Sequence, residues 1–312
     1  MDSDDPLEGR FGLFTNSMVV AADGSIYLTD APCDAFTDAH AIRKIDPKGA
    51  VTTVAKGDPA PTSAAELTSF VIPNGIAIDK EGNLFVSDAR DAKGMMDTGV
   101  CANGEWPAGL PFPPPGQQPG IWRVSTAGEI SIFAGVNSQA GDGADFVDGV
   151  GESASFKYPG PIAFSDDGLL HLIDNGSGLH SYRTIDAGAL VSTKQASYAP
   201  NLVAAPNKKI YATTGCIDST GPAPDLVDLG TGEVIAQNIP DPTLVAVDGA
   251  GNVYSTSPES RQTFSTIYRK ASGDSHFSPV ATGVYKVRAM TTGPDGSLYL
   301  KSAHAVIRIS FK

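Results

Sequence analysis

The sequence predicts an all-β protein, a six-bladed β-propeller with four antiparallel strands in each blade. The chain combines 34 Gly and 23 Pro with only 18% charged residues, a composition that favours many short strands and turns. A strand–turn–strand pattern recurs six times, and a third and usually a fourth strand follow each copy. One such sheet cannot cover its own faces, whereas six arranged radially bury each sheet against its neighbours.

The first two strands of each blade follow one pattern. Small and β-branched residues alternate before a tight polar turn, as expected for an inner strand beside a narrow channel. The copies end at Asp30, Asp88, Asp174, Thr214, Ser257 and Ser302. An aromatic residue follows the turn at Tyr27, Phe85, Tyr211, Tyr254 and Tyr299, and His171 takes this place in the third copy. We expect His171 to pack between blades.

Third strands are predicted at 41–46, 120–125, 180–186, 265–270 and 305–310. The last copy ends after its third strand, so we expect the apolar segment 9–14 to supply the missing outer strand and close the ring. Residues 1–312 then form a single domain with a disordered start at 1–8. Two insertions, 88–119 and 136–159, are long enough to be functional or disordered loops. Both are expected on the face where the inner strands begin.

The charge balance excludes some partners. With 22 Lys+Arg against 35 Asp+Glu, the net charge is −13, which disfavours nucleic acid and anionic membrane surfaces. No apolar run approaches the length of a membrane span. Low Lys content and many small polar residues suit a mature secreted protein, so we expect an extracytoplasmic location and a monomer.

Three cysteines are too few for a disulfide scaffold. All three follow the second strand of a blade. Cys33 and Cys101 belong to neighbouring blades and are the predicted disulfide, which would hold the insertion 88–119 over the channel. Cys216 lies across the ring and is interpreted as a small packing residue.

Two segments carry a family resemblance. The stretch FAGVNSQAGDGADFVDGVGESASFKYPGPIAFSDDGLLHLID resembles the NHL-repeat consensus, and IPNGIAIDKEGNLFVSD resembles the gluconolactonase/SMP-30 and strictosidine-synthase propellers. The resemblance covers nearly the whole chain and implies six blades. It does not fix the chemistry, because this clan includes lactonases, amidating lyases, cyclising enzymes and protein-binding scaffolds.

Superposing the copies on the turn glycine predicts a ring of residues where the inner strands begin: Asn16, Asn74, Gly160, Asn201, Thr243 and Arg288. Convergent donors and acceptors of this kind fix the orientation of a small ligand. We predict catalytic roles for Asn74, Asn201 and Arg288, and substrate contacts for Asn16 and Thr243. Trp106 and Phe112 of the first insertion, with Tyr158, are predicted apolar walls. The alternative is that Asn simply suits a strand-entry turn.

The leading hypothesis is an enzyme without metal or cofactor that cyclises an oxygenated, apolar small molecule, similar to fungal hetero-Diels–Alderases of secondary metabolism. A second hypothesis is a lactone hydrolase that binds one divalent cation such as Ca²⁺. The gluconolactonase resemblance implies Glu, Asn, Asn and Asp as ligands, and only Asn74 and Asn201 match. A third hypothesis is a protein-binding scaffold.

Overall fold

A computed structural model gives the fold of the protein. It describes residues 11, 17–30, 40–58, 68–88, 119–135, 147–175, 180–196, 201–214, 224–257, 264–302 and 305–311. The segment 1–8 and most of the insertion 88–119 lie outside the described residues. The same holds for residues 136–146 of the second insertion.

Six antiparallel sheets form the blades. Blade one contains β1 (Met18–Val20), β2 (Ile26–Asp30), β3 (Ala41–Ile45) and β4 (Val51–Lys56). Blade two contains β5 (Pro73–Ile78), β6 (Leu84–Asp88), β7 (Gly120–Val124) and β8 (Ile130–Gly135). Blade three contains β9 (Gly149–Val150), a 3₁₀ turn (Gly151–Ser153), β10 (Pro159–Phe164), β11 (Leu170–Asn175), β12 (His180–Ile185) and β13 (Leu190–Ala196).

The remaining blades follow in chain order. Blade four contains β14 (Leu202–Ala204), β15 (Ile210–Thr214), β16 (Asp225–Asp228) and β17 (Val234–Ala236). Blade five contains β18 (Val245–Val247), β19 (Val253–Thr256), β20 (Phe264–Lys270) and β21 (Ser278–Tyr285). Blade six contains β22 (Ala289–Thr292), β23 (Leu298–Lys301) and β24 (Val306–Ile309). The short strand β16 was not among the predicted third strands.

The inner strands close into a ring. Each of β1, β5, β10, β14, β18 and β22 contacts the next, and β22 contacts β1. The predicted six-bladed propeller is therefore confirmed. Blade six has three strands within the described part of the chain. Phe11 lies in the core between blades six and one with Met18, Ala289 and Tyr299, but strand pairing by the rest of 9–14 stays a prediction.

Apolar side chains fill the seams between blades. Between blades two and three, Phe85 packs edge-on against Phe133 and Phe164, with ring centroids 4.8 and 5.0 Å apart. At the same seam, Phe156 lies so close to Gly135 that a Cβ there would be 2.6 Å from its ring. Gly135, in the segment that resembles the NHL-repeat consensus, therefore lies where the ring of Phe156 from the next blade must fit.

The second insertion contributes to the outside of blade three. Strand β9 pairs with Leu190 and Val191 at the start of β13, so blade three has a fifth, outermost strand. Val147 forms a bridge with Ser155, and the chain then returns to the start of β10. Residues 147–155 therefore cover the outer edge of the blade, which the sequence pattern did not predict.

No helix in the described segments has the length and hydropathy needed to cross a membrane.

Candidate functional site

A cavity of about 990 Å³ runs along the propeller axis and is lined by the inner strands of all six blades. We call the end at which the inner strands begin the upper end. The upper end is lined by Ser17, Asn74, Tyr158, Asn201, Thr243 and Arg288. The turns that follow the inner strands line the lower end, and there the lining includes Asp23, Asp79, Lys80, Glu81 and Lys208.

Asn74 is positioned by a buried carboxylate. Asp88 ends β6, and its two oxygens accept hydrogen bonds from the backbone N–H groups of Val71 and Ile72, each at 2.9 Å. These bonds fix the loop that leads into β5. Asn74 then donates from Nδ2 to the carbonyl oxygen of Pro159 on blade three, at 3.3 Å. One amide hydrogen of Asn74 is therefore used to join two blades at the upper end.

Tyr158 is positioned in the same way in blade three. Asp174, one residue before the end of β11, accepts hydrogen bonds from the backbone N–H groups of Lys157 and Tyr158, the latter at 2.8 Å. Behind it, Arg183 donates from Nη1 to Asp174 Oδ2 at 3.0 Å, and both side chains are fully buried. Asp88 and Asp174, at or next to the ends of the second strands of blades two and three, thus cap the entry loops.

Asn201 and Thr243 are linked across blades four and five. Asn201 donates from Nδ2 to the carbonyl oxygen of Thr243 at 3.3 Å. Thr243 in turn donates its hydroxyl to Asp241 Oδ1 at 2.6 Å, and its backbone N–H to the same oxygen at 2.9 Å. Asp241 is buried and occupied by these bonds, so its carboxylate serves the local turn.

The predicted superposition is wrong by one residue in blade four. The backbone N–H of Thr213 donates to the carbonyl oxygen of Asn201, just as the backbone N–H of Thr29 donates to the carbonyl oxygen of Ser17. Asn201 is therefore equivalent to Ser17 and not to Asn16. The turn of blade four has no glycine, and Lys208 takes the left-handed conformation with φ 62°. Asn201 nevertheless lines the upper end of the cavity.

Blade six brings two cations together. Arg288 is half-buried at the upper end, and its backbone N–H bonds to the carbonyl oxygen of Lys301 at 2.8 Å. Lys301 is fully buried, and its Nζ donates to Ser302 O at 2.8 Å. Burial lowers the pKa of Lys301 to about 8, Asp30 across the seam opposes this change, and the charge of Arg288 adds to it. The sequence pattern did not predict that Lys301 is buried next to Arg288.

Of the predicted site residues, Asn74, Tyr158, Asn201, Thr243 and Arg288 meet at the upper end of one cavity. Their catalytic and binding roles stay predictions. Asn16, Trp106, Phe112, Cys33 and Cys101 lie outside the described residues. Ser17, which sequence reasoning missed, directly follows Asn16 and lines the same end.

The described residues do not fit a divalent-cation centre. They contain no group of three or more His, Cys, Asp or Glu side chains close enough to share an ion. Ca²⁺ takes about six to eight oxygen ligands, with carboxylates commonly among them, whereas Asp88, Asp174 and Asp241 are buried and hydrogen-bonded to their own loops. Among the described lining residues, carboxylates occur only at the lower end.

His171 belongs to a separate hydrogen-bonded line on blade three. Its Nε2 lies 2.7 Å from Ser165 Oγ, and its Nδ1 contacts Tyr182 OH. Ser165 Oγ also lies within hydrogen-bond reach of Asp167 and of the carbonyl oxygen of Leu169, which share its one hydroxyl hydrogen. Both acceptors belong to the turn between β10 and β11, so the contacts of Ser165 serve that turn.

Comparisons with known proteins show the fold. No family model matches the chain, and no curated protein matches it. A gluconolactonase from Xanthomonas campestris superposes with a TM-score of 0.59 at 12% identity, covering 96% of this chain and 87% of that one. Virginiamycin B lyase from Staphylococcus aureus gives 0.52 at 13% identity, covering 96% of both chains. A Bacteroides thetaiotaomicron protein of unknown function gives 0.54 at 10% identity, covering 98% and 72%. The chain therefore shares its propeller fold with enzymes of different chemistry.

Proposed function

We propose that the protein is an enzyme that binds one small molecule at the upper end of the central cavity. The observation that supports this is the convergence of Asn74, Asn201, Thr243 and Arg288 from four blades on one cavity of about 990 Å³. This volume is in the range of ligand pockets. A closed, narrow channel would have favoured the protein-binding scaffold.

The proposed reaction is cyclisation or cycloaddition of an oxygenated, largely apolar metabolite, without metal or cofactor. A cycloaddition converts two π bonds into two σ bonds and needs no proton or electron from outside. Holding the reacting ends together contributes roughly 7 to 11 kcal/mol in favourable cases. Arg288 would donate to a substrate carbonyl and polarise it, because a fixed cation in a partly dry site stabilises developing negative charge. Tyr158 would pack against the apolar part.

Proteins that share the fold support the general class. One is named as a gluconolactonase, and an inactive virginiamycin B lyase was solved with quinupristin, at a TM-score of 0.51 and 12% identity. The first similarity favours lactone hydrolysis as a second candidate. Asp88, Asp174 and Asp241 are already hydrogen-bonded to their own loops, which disfavours a metal-dependent lactone hydrolase.

The two candidates differ in the mass of the product. We would incubate the protein with a metabolite extract and compare substrate and product by mass spectrometry. Cyclisation or intramolecular cycloaddition of the bound molecule gives an isomer of unchanged mass, whereas lactone hydrolysis adds one water. The converting activity should fall when Asn74→Ala and Arg288→Ala are introduced and persist in Arg308→Ala, since Arg308 pairs with Asp295 and is not among the residues that line the cavity. Unchanged turnover in both cavity variants would contradict the proposal. Loss of turnover on treatment with a chelator would support the hydrolase.

A further inference from the structure

Two asparagines at the upper end are held by the same device. Asn74 donates from Nδ2 to the carbonyl oxygen of Pro159 in the next blade, at 3.3 Å. Asn201 donates from Nδ2 to the carbonyl oxygen of Thr243 in the next blade, also at 3.3 Å. A carbonyl oxygen can only accept a hydrogen bond, so the amide group that faces it must be the NH₂ group. These contacts therefore fix which side of each amide carries Oδ1.

The oxygen of each amide is left for a ligand. No described residue donates to Oδ1 of Asn74 or Asn201. Neither oxygen is among the buried polar atoms that lack a partner in the described part of the chain, so both are accessible. Both side chains line the cavity. Each amide thus presents one acceptor, Oδ1, and the second hydrogen of Nδ2 from a fixed position.

Two hydroxyls add to this pattern. Thr243 donates its hydrogen to Asp241 Oδ1 at 2.6 Å, so its Oγ1 can only accept a hydrogen bond from a ligand. Ser17 has the opposite polarity, because its Oγ accepts the backbone N–H of Ile76 at 3.2 Å and its own hydrogen remains to be donated. Neutral donors and neutral acceptors from four blades therefore meet at the same end of the cavity.

A hydroxyl group matches such a lining better than other oxygen groups do. A molecule that carries only ether, ester or ketone oxygens cannot donate, so on binding it leaves the amide oxygens dry and without a partner, which is costly. An ammonium group has the reverse defect, because it supplies donors only. A hydroxyl donates one hydrogen bond and accepts others, so one such group can satisfy an Oδ1 and a neighbouring donor together.

We propose that the substrate carries at least one hydroxyl group, which donates to Oδ1 of Asn74 or Asn201 at the upper end of the cavity. The proposal rests on the proposed function and narrows its substrate class from oxygenated molecules to hydroxylated ones. Asn74 and Asn201 then determine specificity, since they select a molecule with a free hydroxyl over the same molecule with that hydroxyl alkylated.

Three fluorescent probes with one aromatic core test this inference. They are 2,6-dihydroxynaphthalene, 6-methoxy-2-naphthol and 2,6-dimethoxynaphthalene, which carry two, one and no hydroxyl donors. We expect the full-length protein to bind the diol about 10-fold more tightly than the dimethyl ether, with the methoxynaphthol between them, because the ether leaves acceptors unpaired. This comparison is made in the unmodified protein and does not depend on any variant.

Variants of the two asparagines assign the preference to the amides. Asn74→Leu and Asn201→Leu should each reduce the preference for the diol, and the double variant should abolish it, with the affinity for the dimethyl ether unchanged or increased. A purely structural role of the amides would instead weaken all three probes together. Asn207→Leu is the matched control, because Asn207 is exposed and is not among the lining residues, and it should leave the preference unchanged.

A further variant locates the binding. Ala204 lines the cavity and is exposed to it, so Ala204→Trp should weaken all three probes. If the three probes bind equally well in the cavity, or if the preference for the diol persists in the double variant, the hydroxyl requirement is wrong and the proposed function survives. If no probe binds, or if Ala204→Trp weakens none of them, both the inference and the small-molecule site are contradicted.

Discussion

Arg183 and Asp174 form an ion pair of 3.0 Å with both side chains fully buried at the seam between blades two and three. Arg183 also donates to the carbonyl oxygens of Ser155 and Val147 and to Asp148, all on the outer hairpin. Asp174 accepts a hydrogen bond from the backbone N–H of Tyr158. The pair therefore connects the outer edge of blade three to the upper end of the cavity.

We predict that Arg183→Met destabilises the protein by about 3 to 5 kcal/mol, because it leaves a buried carboxylate without its cation. The matched control is Arg308→Met, since the Arg308–Asp295 pair is largely exposed and such pairs contribute at most about 1 kcal/mol. Urea unfolding of both variants measures the difference. Equal losses of unfolding free energy in the two variants would show that the buried pair contributes no more to stability than the exposed one.

His40 should make the fold sensitive to acid. It is 1% exposed, neither ring nitrogen has a hydrogen-bond partner among the described residues, and burial lowers its pKa to about 4. The unfolded chain binds a proton near pH 6.5 and the folded protein only near pH 4. Stability therefore falls as pH drops through this window, by about 3 kcal/mol. In His40→Leu this part of the pH dependence should disappear from thermal unfolding curves. Parallel curves for the two proteins would refute the assignment.

Lys301 should act at the alkaline end. Its folded pKa of about 8 is below the ordinary value of 10.5, so between these values the folded protein binds fewer protons than the unfolded chain. Stability conferred by this site therefore rises as pH increases from 8 to 10.5, by about 3 kcal/mol. Stability is measured against pH for the protein and for Lys301→Met. The difference between the two profiles isolates Lys301, because the other titrating groups contribute to both. Lys80→Met is the control because Lys80 is exposed, and it should leave the pH profile unchanged. A Lys301→Met profile that still rises like that of the unmodified protein would contradict this prediction.

Local patterns in the chain were sufficient for the blades. Alternating small residues identify the first two strands of the copies, helped in most of them by a turn glycine such as Gly24 or Gly82 and a following aromatic residue. The alignment failed where a local signal was absent, as at Lys208, which adopts a glycine-like conformation without being glycine. Strand β16, with the sequence DLVD, is short and lacks the arginine that the five predicted third strands share, and it was missed.

The candidate site was recovered in part, for a physical reason. Residues at the start of each inner strand must converge on the axis once the blades close, so Asn74 and Arg288 could be predicted from register. The pairing of Arg183 with Asp174, and the burial of Lys301 beside Asp30, depend on how side chains from different strands and blades meet. No periodicity in the sequence encodes such contacts.

Gly75 should be essential for the spacing of blades two and three next to Asn74. A Cβ at this position would lie 2.7 Å from the carbonyl oxygen of Gly160 and 2.8 Å from Ser87 Oγ. Ser87 joins the same two blades, since its Oγ accepts the N–H of Gly75 and donates to Gly160 O, each at 2.7 Å. Gly75→Ala must therefore separate the blades or break this bridge, and we expect a loss of about 1 to 3 kcal/mol.

Gly249→Ala is the matched control for Gly75→Ala, because no atom lies within 4 Å of a Cβ built there. It should change stability by at most about 1 kcal/mol, and in the stabilising direction if the turn accepts alanine. Urea unfolding measures stability, and binding of the fluorescent probe 1-anilinonaphthalene-8-sulfonate measures whether the cavity is intact. Asn74 directly precedes Gly75 in β5, so a shift of this strand also moves Asn74. Gly75→Ala should therefore weaken probe binding as well, whereas Gly249→Ala should not. A Gly75→Ala protein with unchanged stability and unchanged binding would mean that the two blades are not in contact at the upper end, and the convergence of Asn74 with the other lining residues would then lose its structural basis.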